Sequence, residues 1–566
     1  MKEFFQWLAN NPFALLFIAV GLAVWVGKFS FKGYGLGMVA AAIIIGCGLS
    51  TWGSTYGVKL ELNNFAKSLF YYLFMYGVGL RVGPSFVNSL RGDGLKFTFL
   101  AVLAALMGLV LCVLGAKLFN LPPGAAGGLL AGSQTMSAAI GSAEQAVTQG
   151  AVKLADGTTA ESVSAMIALS YGISYIWGTV GIILICKYLP KWWGVDAKEA
   201  AIAYEREHGV RNVDDVSLTG YRPFSIRAYK LENNQWSGKS IQDFRNQYPE
   251  YRVINVRRGQ DLLGCDPSLK VQSGDVVALA GTRGDITANL GIIGPEVDDR
   301  QVLNVPLAQA EVLVTNKEAA GRTLGSFSRG ELAGQVQVTR IERAGVPIPV
   351  GTGTELQRMD VLFVAGVEEA VKRVGTLMGR FATPTTATDL LTLSVGMVLG
   401  LLIGAISFPA FGASVGLGNA GGLLVSGVII SSLQSRLRFF GNTPNAARNI
   451  LEDLGLVVFV CIVGINAGNS LLAQLTGAVA LKIFVAGFIA CTIPPFVVWA
   501  IGFHFMKINP AVLMGGVAGA RSHSGPCREA AKEINSTVPW IGFPVAYAIS
   551  GILLTIFGYF AMVLAQ

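Results

Sequence analysis

The sequence predicts a polytopic α-helical membrane protein: two inverted repeats of about five spans plus a re-entrant hairpin each, with a soluble α+β insert between them. Three observations carry this reading. Of 566 residues, 52% are apolar and only 14% charged, against about 25% charged in a soluble domain. The charge is concentrated: residues 1–189 hold 17 charged side chains and 386–566 hold 13, whereas 190–385 hold 48. The two apolar flanks also repeat one another.

Taken in order, apolar stretches able to cross about 30 Å of hydrocarbon fall near 12–27, 34–50, 66–80, 94–118 and 163–187, then near 387–408, 415–433, 450–466, 477–503 and 539–563. Between the fourth and fifth of each series lies a small-residue segment with a polar centre, Gly124–Gly150 and Pro510–Asn535. The repeat shows in three matches: Gly35-Leu36-Gly37 with Gly416-Leu417-Gly418, Gly79–Gly83 with Gly464–Gly468, and Ala131–Thr135 with Ala518–Ser522. Interrupted segments at corresponding places in two membrane halves mark the binding site of a secondary transporter.

Charge sets the orientation. With the N-terminus outside, Lys28, Lys32, Arg91, Lys96, Lys187, Lys191, Arg436, Arg438, Arg448, Lys507, Arg528 and Lys532 fall inside, and the uncharged loops 409–419 and 467–476 fall outside. Lys59, Lys67 and Lys153 run against this pattern. Both termini then lie outside and the insert lies in the cytoplasm; if both polar-centred segments instead span fully, the halves become parallel six-span repeats and uncharged loops face the cytoplasm, against this tendency. Met1–Trp7 and the apolar run after it lack a small-residue cleavage site and read as a first membrane helix.

The insert is itself duplicated. Gly238-Lys239-Ser240-Ile241 matches Gly321-Arg322-Thr323-Leu324, and Ser273–Gly281 matches Arg358–Gly366. Each copy has alternating strand-type runs, such as 252–256 and 336–341, and a short helix is expected after the Gly-Lys-Ser or Gly-Arg-Thr step. The expected boundaries are 1–189 for the first membrane repeat, 190–218 for a linker, 219–298 and 299–384 for two α+β domains, and 385–566 for the second repeat.

With these motifs in hand, the chain resembles the aspartate:alanine exchanger family of bacterial antiporters. Its inserts resemble RCK-C domains, whose Ser-Gly-Asp ending stands at Ser273-Gly274-Asp275 and is replaced by Arg358-Met359-Asp360 in the second copy. The resemblance implies uptake of aspartate against release of alanine, a place in the inner membrane and a homodimer. Relatives that export succinate-like dicarboxylates keep a second substrate class open.

Residue by residue, polar groups inside a membrane segment line a cavity or pack helices. In the first hairpin, Ser133, Gln134, Thr135 and Ser137 are candidates to hydrogen-bond a carboxylate, with small-residue packing through Gly128 and Gly132 as the alternative. In the second, Arg521 offers a planar fork for a carboxylate, flanked by Ser522, His523 and Ser524; an Arg reaching to the interface is the alternative. Arg81, in a Gly-rich helix break before Gly83-Pro84, and its repeat partner Asn466 complete the candidate substrate shell. Arg81 also reads as an ordinary cytoplasmic helix-end cation.

Asn442-Thr443-Pro444-Asn445 reads equally as a polar turn near the site or as a helix cap. Asp389, Glu452 and Asp453 read as capping or salt-bridging groups. An exchanger needs no coupling ion. No cofactor or metal is expected: the three histidines are dispersed, none of the seven cysteines forms a CxxC pair, and neither a Walker A nor a strand-linked GxGxxG motif occurs. No basic run with interleaved aromatics points to nucleic acid. An RCK-regulated channel or cation antiporter remains a second class, against which stand the missing TVGYG-type filter and the scarcity of buried acids. A membrane sensor that binds ligand through the insert alone is a third.

Overall fold

Apolar runs coil into helices here because, in lipid, a helix satisfies every backbone N–H and C=O within one segment. The computed structural model describes residues 1–31, 34–35, 37–89, 94–152, 158–211, 224–248, 251–282, 286, 293–328, 335–343, 346–381, 389–410, 413–434, 443, 445–474 and 477–566. Lys32, Leu36, Arg91, Lys153, Arg436, Arg438, Asn442 and Pro444, used above for topology, repeat and turn, lie outside them. The chain divides into two units, one comprising Met1–Ala201 with Thr385–Gln566, the other Ile202–Pro384.

In the first unit, α1 (Lys2–Asn10) and α2 (Pro12–Gly27) lead to the two-stranded hairpin β1 (Ser30–Phe31) and β2 (Tyr34–Gly35). Then come α3 (Met38–Thr55), α4 (Asn64–Ser89), α5 (Gly94–Leu118), the broken pair α6 (Ala125–Ser133) and α7 (Ala138–Thr148), and the long α8 (Ala160–Trp192).

Helix α9 (Ala197–His208) occupies part of the stretch expected to be a linker. Asp196 caps it, accepting from Lys198 N at 2.9 Å and Glu199 N at 3.1 Å, and its Ala, Glu and Lys content favours helix. Strand β3 (Val210–Arg211) follows.

The second unit holds two five-stranded antiparallel sheets. The first comprises β4 (Phe224–Lys230), β5 (Arg252–Arg258), β6 (Asp261–Leu262), β7 (Val276–Thr282) and β8 (Glu296–Val297), in the order β6-β5-β7-β4-β8, with α10 (Ile241–Gln247) after the Gly-Lys-Ser step. The second comprises β9 (Leu307–Val314), β10 (Val336–Arg343), β11 (Val346–Ile348), β13 (Val361–Val367) and β14 (Gly379–Phe381), in the order β11-β10-β13-β9-β14. Helix α11 (Leu324–Ser328) follows its Gly-Arg-Thr step, β12 (Val350–Gly351) pairs with β3, and α12 (Glu368–Met378) follows β13.

The copies agree in detail. Each has a bulge at the same place, between Val253 and Asn255 in β5 and between Val338 and Arg340 in β10. The Asp of each closing motif is held by one Arg: Arg258 Nε and Nη2 reach Asp275 at 2.9 Å each, and Arg343 Nε and Nη2 reach Asp360 at 2.9 and 2.8 Å. Gln272 N and Gln357 N donate to the same two carboxylates at 2.7 and 2.8 Å. The motif Asp is thus the clamp that closes each sheet. Its missing glycine has a visible consequence: Met359 adopts φ +70°, where Gly274 has φ +91°. In α10, Ser240 Oγ and N both donate to Asp243, which holds that carboxyl below its usual range.

The second membrane series repeats the first in kind and order: α13 (Leu390–Gly404), a β-hairpin of β15 (Ser407–Ala410) and β16 (Ala413–Gly416), α14 (Gly418–Gln434), α15 (Asn445–Gln474), α16 (Gly477–Ala500) with a π turn over Ile501–Phe505, the broken pair α17 (Pro510–Ala520) and α18 (Ser524–Ile534), and α19 (Pro539–Leu564). Among the described residues, six helices, α3, α5, α8, α15, α16 with its π turn, and α19, are long and apolar enough to cross a membrane; counting α1–α2, bent by 108°, as one span gives seven. The sequence predicts ten spans. The shortfall has two causes: α13 and α14 run only 15 and 17 residues, and the 26-residue α4 is diluted by Asn64, Lys67, Arg81 and Asn88.

The helices sort into two bundles, each drawing on both halves of the chain. Helices α2–α4 pack with α13–α15, while α5–α8 pack with α16–α19.

Candidate functional site

Both interrupted segments break at equivalent residues. Thr135 and Ser522, 387 residues apart, adopt φ +53° and +51°. Asn120 and Lys507, the same distance apart, adopt φ +49° and +51° before each broken pair. Left-handed backbone at a β-branched Thr is uncommon, so its recurrence ties the geometry to the break itself.

Each break lies halfway along the long helix that follows. Gly132 is wedged against α8, where a Cβ on it would fall 2.1 Å from Ser174 Oγ and 2.5 Å from Tyr171 O. Ser522 Oγ is 2.7 Å from Ser550 Oγ, near the middle of α19. The two pairs approach from opposite ends. Gly124, which opens the first, lies against Val163 near the start of α8. Glu533, near the end of the second, pairs with Lys187 at 2.9 Å and Lys191 at 2.7 Å near the far end of α8. On α19 the order reverses: Gly515 abuts Pro539 at its start and Gly127 abuts Met562 at its end.

The tips therefore meet, and they are cross-tied. Thr135 Oγ1 donates to Arg521 O at 2.8 Å, while Arg521 Nη2 donates to Ser133 O. A third element joins them. Gln134 Nε2 donates to Ala490 O at 2.9 Å, and Arg521 Nη1 donates to Cys491 O at 2.7 Å. These two carbonyls are available for a covalent reason: their partners four residues on would be Pro494 and Pro495, which have no N–H. A double proline in an apolar span is the signal that could have identified α16 as part of the site.

The centre is buried and incompletely satisfied. Arg521 is 1% exposed, no carboxylate pairs with it among the described residues, and its Nε has no hydrogen-bond partner. Gln134 Oε1, fully buried, is also without one. The helix N-termini of α7 and α18 both start at these tips, where their backbone N–H groups favour an anion.

Other candidates are placed differently. Ser133 Oγ is 3.3 Å from Gln134 Nε2 and 3.5 Å from Cys112 Sγ. Ser137 Oγ is 2.9 Å from Tyr171 Oη. His523 caps α18, its Nδ1 accepting from Gly525 N at 2.9 Å, and Ser524 is exposed at the first turn.

Asn466 does not join the tips. Its side-chain amide pairs with the backbone of Leu62, accepting from N at 2.8 Å and donating to O at 3.0 Å. Arg81 lies in a separate polar centre: Nη2 is 3.0 Å from Glu452 Oε2 and 2.9 Å from Asn449 Oδ1. Tyr547 of α19 lies near that centre. Two other acids are committed as well, Glu144 to Lys67 at 3.1 Å and Asp389 as the cap of α13, accepting from Thr392 N at 2.9 Å. No cluster of three metal-ligating side chains occurs among the described residues.

Comparison with known proteins agrees with this architecture. The family profile described as "Predicted Permease Membrane Region" matches residues 15–191 and 392–563, and a TrkA-C domain profile matches 226–290. An uncharacterized transporter of Bordetella bronchiseptica is 65% identical over 100% of both chains. Others, from Desulfotalea psychrophila and Shewanella oneidensis, are 31% and 29% identical, covering 100% and 98% of this chain and 86% and 98% of their own. No solved structure matches. With its permease halves on either side of a TrkA-C-type insert, the chain belongs to the aspartate:alanine exchanger family of membrane transporters.

Proposed function

We propose that the protein exchanges aspartate for alanine across the bacterial inner membrane by alternating access. The observation that carries this reading is Arg521: a buried cation on a helix break, with Nε unpartnered and no carboxylate beside it among the described residues. A buried charge without a counter-charge is costly, and a substrate carboxylate arriving between the two helix N-termini would supply one. Gln134 Oε1, an orphan acceptor, suits a substrate ammonium, which aspartate and alanine carry and succinate lacks. Binding requires Arg521 to exchange a backbone carbonyl for the ligand, so the tips must part. The hydroxyls of Ser522 and Ser524 would complete the outer shell.

The membrane halves act as inverted repeats with two re-entrant hairpins, a reading supported by the opposite approach of α6–α7 and α17–α18 along α8 and α19. The soluble insert comprises two RCK-C-like domains, 219–298 and 299–384, in the cytoplasm. Both termini lie outside, and the protein works as a homodimer.

Exchange of an anion for a net-neutral zwitterion moves charge and responds to membrane potential. Proteoliposomes loaded with alanine should take up labelled aspartate, faster when the inside is made positive. Uptake of succinate in place of aspartate, or potassium flux without either, would replace this reading with the dicarboxylate or the channel alternative.

A further inference from the structure

The two hairpins are equivalent in backbone but not in surroundings. Return helix α7 is enclosed: every residue from Ala138 to Glu144 is buried. It is held against α4 of the other bundle by three contacts, and Gln145 adds one to α14, its Oε1 accepting from Ala420 N at 3.4 Å. Tyr71 Oη of α4 donates to Ala138 O at 3.0 Å. The Tyr71 ring covers Gly141, where a Cβ would fall 2.0 Å from ring carbon Cζ. Lys67 Nζ of α4 is 3.1 Å from Glu144 Oε2 of α7, with both side chains largely buried.

Return helix α18 lacks this seal. Its substantial neighbours among the described residues, α8, α17 and α19, all belong to its own bundle. Ser524, Arg528, Lys532 and Glu533 are exposed along it. The repeat partner of Lys67, at the 385-residue offset that relates Arg81 to Asn466, is Glu452. Glu452 does not reach across to α18; it pairs with Arg81 inside its own bundle.

We propose that the structure is closed on the side of the first hairpin and open on the side of the second, and that Lys67–Glu144, with Tyr71 over Gly141, is the latch that holds the closed side. Substrate reaches the tips from the first side only when this ion pair separates and α7 leaves α4. Because Glu452 offers no matching pair to α18, the open side has no equivalent latch among the described residues, and the resting population favours the state seen here. The inference rests on the alternating-access reading but not on the substrate.

The test is thiol labelling of the purified full chain in a cysteine-depleted background, with a maleimide as the probe and no substrate present. The reporter Ala138→Cys should label slowly and the reporter Ser524→Cys rapidly. Adding Glu144→Gln should raise the labelling rate of the Ala138→Cys reporter on the order of tenfold or more and lower that of the Ser524→Cys reporter. The double neutral variant Lys67→Gln/Glu144→Gln, which leaves no buried unpaired charge, carries the same expectation. The exchanged pair Lys67→Glu/Glu144→Lys should restore slow labelling of the Ala138→Cys reporter.

An unchanged rate at the Ala138→Cys reporter in either folded neutral variant overturns the latch. So does a charge-exchanged protein that labels as fast as the neutral ones. Failure of aspartate–alanine counterflow leaves this labelling result standing, and failure of the labelling leaves the counterflow standing.

Discussion

The tips of the two broken helix pairs share a backbone and differ in one decisive side chain. At the first tip stands Gln134, at the second Arg521; each donates to a carbonyl released by a proline of α16. The neutral amide meets its site with one orphan oxygen, whereas the guanidinium brings a full charge into a place without a counter-ion among the described residues. The repeated scaffold is the same at both tips, and a single side chain polarises it. The soluble domains follow the same course: an identical clamp and bulge, with Met359 where the other copy has Gly274. In both pairs the shared part reports what the fold requires, and the difference reports either function or tolerated strain.

The comparison between soluble copies can be broken most strongly at the clamp. Asp360 is fully buried and Arg343 nearly so, whereas Arg258 of the other pair is about a third exposed. Arg343→Met strands a buried carboxylate and should destabilise its sheet by about 3–5 kcal/mol. Arg258→Met, whose pair is partly screened by water, should cost about 1–2 kcal/mol. Hydrogen exchange of β10 and β13 amides against β5 and β7 amides reads the copies separately. Equal losses would mean that the exposure difference does not control the clamp.

Met359→Gly gives the smallest expected effect. Left-handed backbone disfavours a side chain by about 1–2 kcal/mol, and the added flexibility of Gly in the unfolded chain offsets about 0.5–1 kcal/mol. Slower exchange in β13, by a net of about 0.5–1 kcal/mol, is the expected outcome. Faster exchange would show that Met359 contributes packing that outweighs its strain.

Much of this architecture is legible in the sequence because it depends on local pattern. The charge contrast between flanks and insert, the repeated Ala-Gly-Ser-Gln-Thr and Ala-Gly-Ala-Arg-Ser breaks, and the Gly-Lys-Ser and Gly-Arg-Thr steps each act within a few residues. Contacts between distant residues are not legible. Asn466 groups with the substrate shell by repeat position, yet it serves the backbone of Leu62, 404 residues away. Lys67 reads as a misplaced topology charge in the sequence and gains a meaning only with Glu144 beside it. Fewer helices have the length and composition of a span than the ten predicted runs, because an apolar run does not state how long its helix will be: α13 ends at Gly404, before a β-hairpin. His523 reads as a candidate ligand from its neighbours, whereas the fold uses it as a helix cap.

The central claim is that Arg521 is the anion-holding difference between two otherwise equivalent tips. Calorimetric titration of aspartate into purified wild-type and Arg521→Gln protein tests it most directly, because the variant restores the side chain of the first tip. Loss of a buried charge-assisted pair should weaken binding by about 2–5 kcal/mol, on the order of thirtyfold or more, with Arg521→Lys between the two because it keeps charge but not the fork. Near-wild-type aspartate affinity in a folded Arg521→Gln protein would contradict the account, whatever happened to its transport rate.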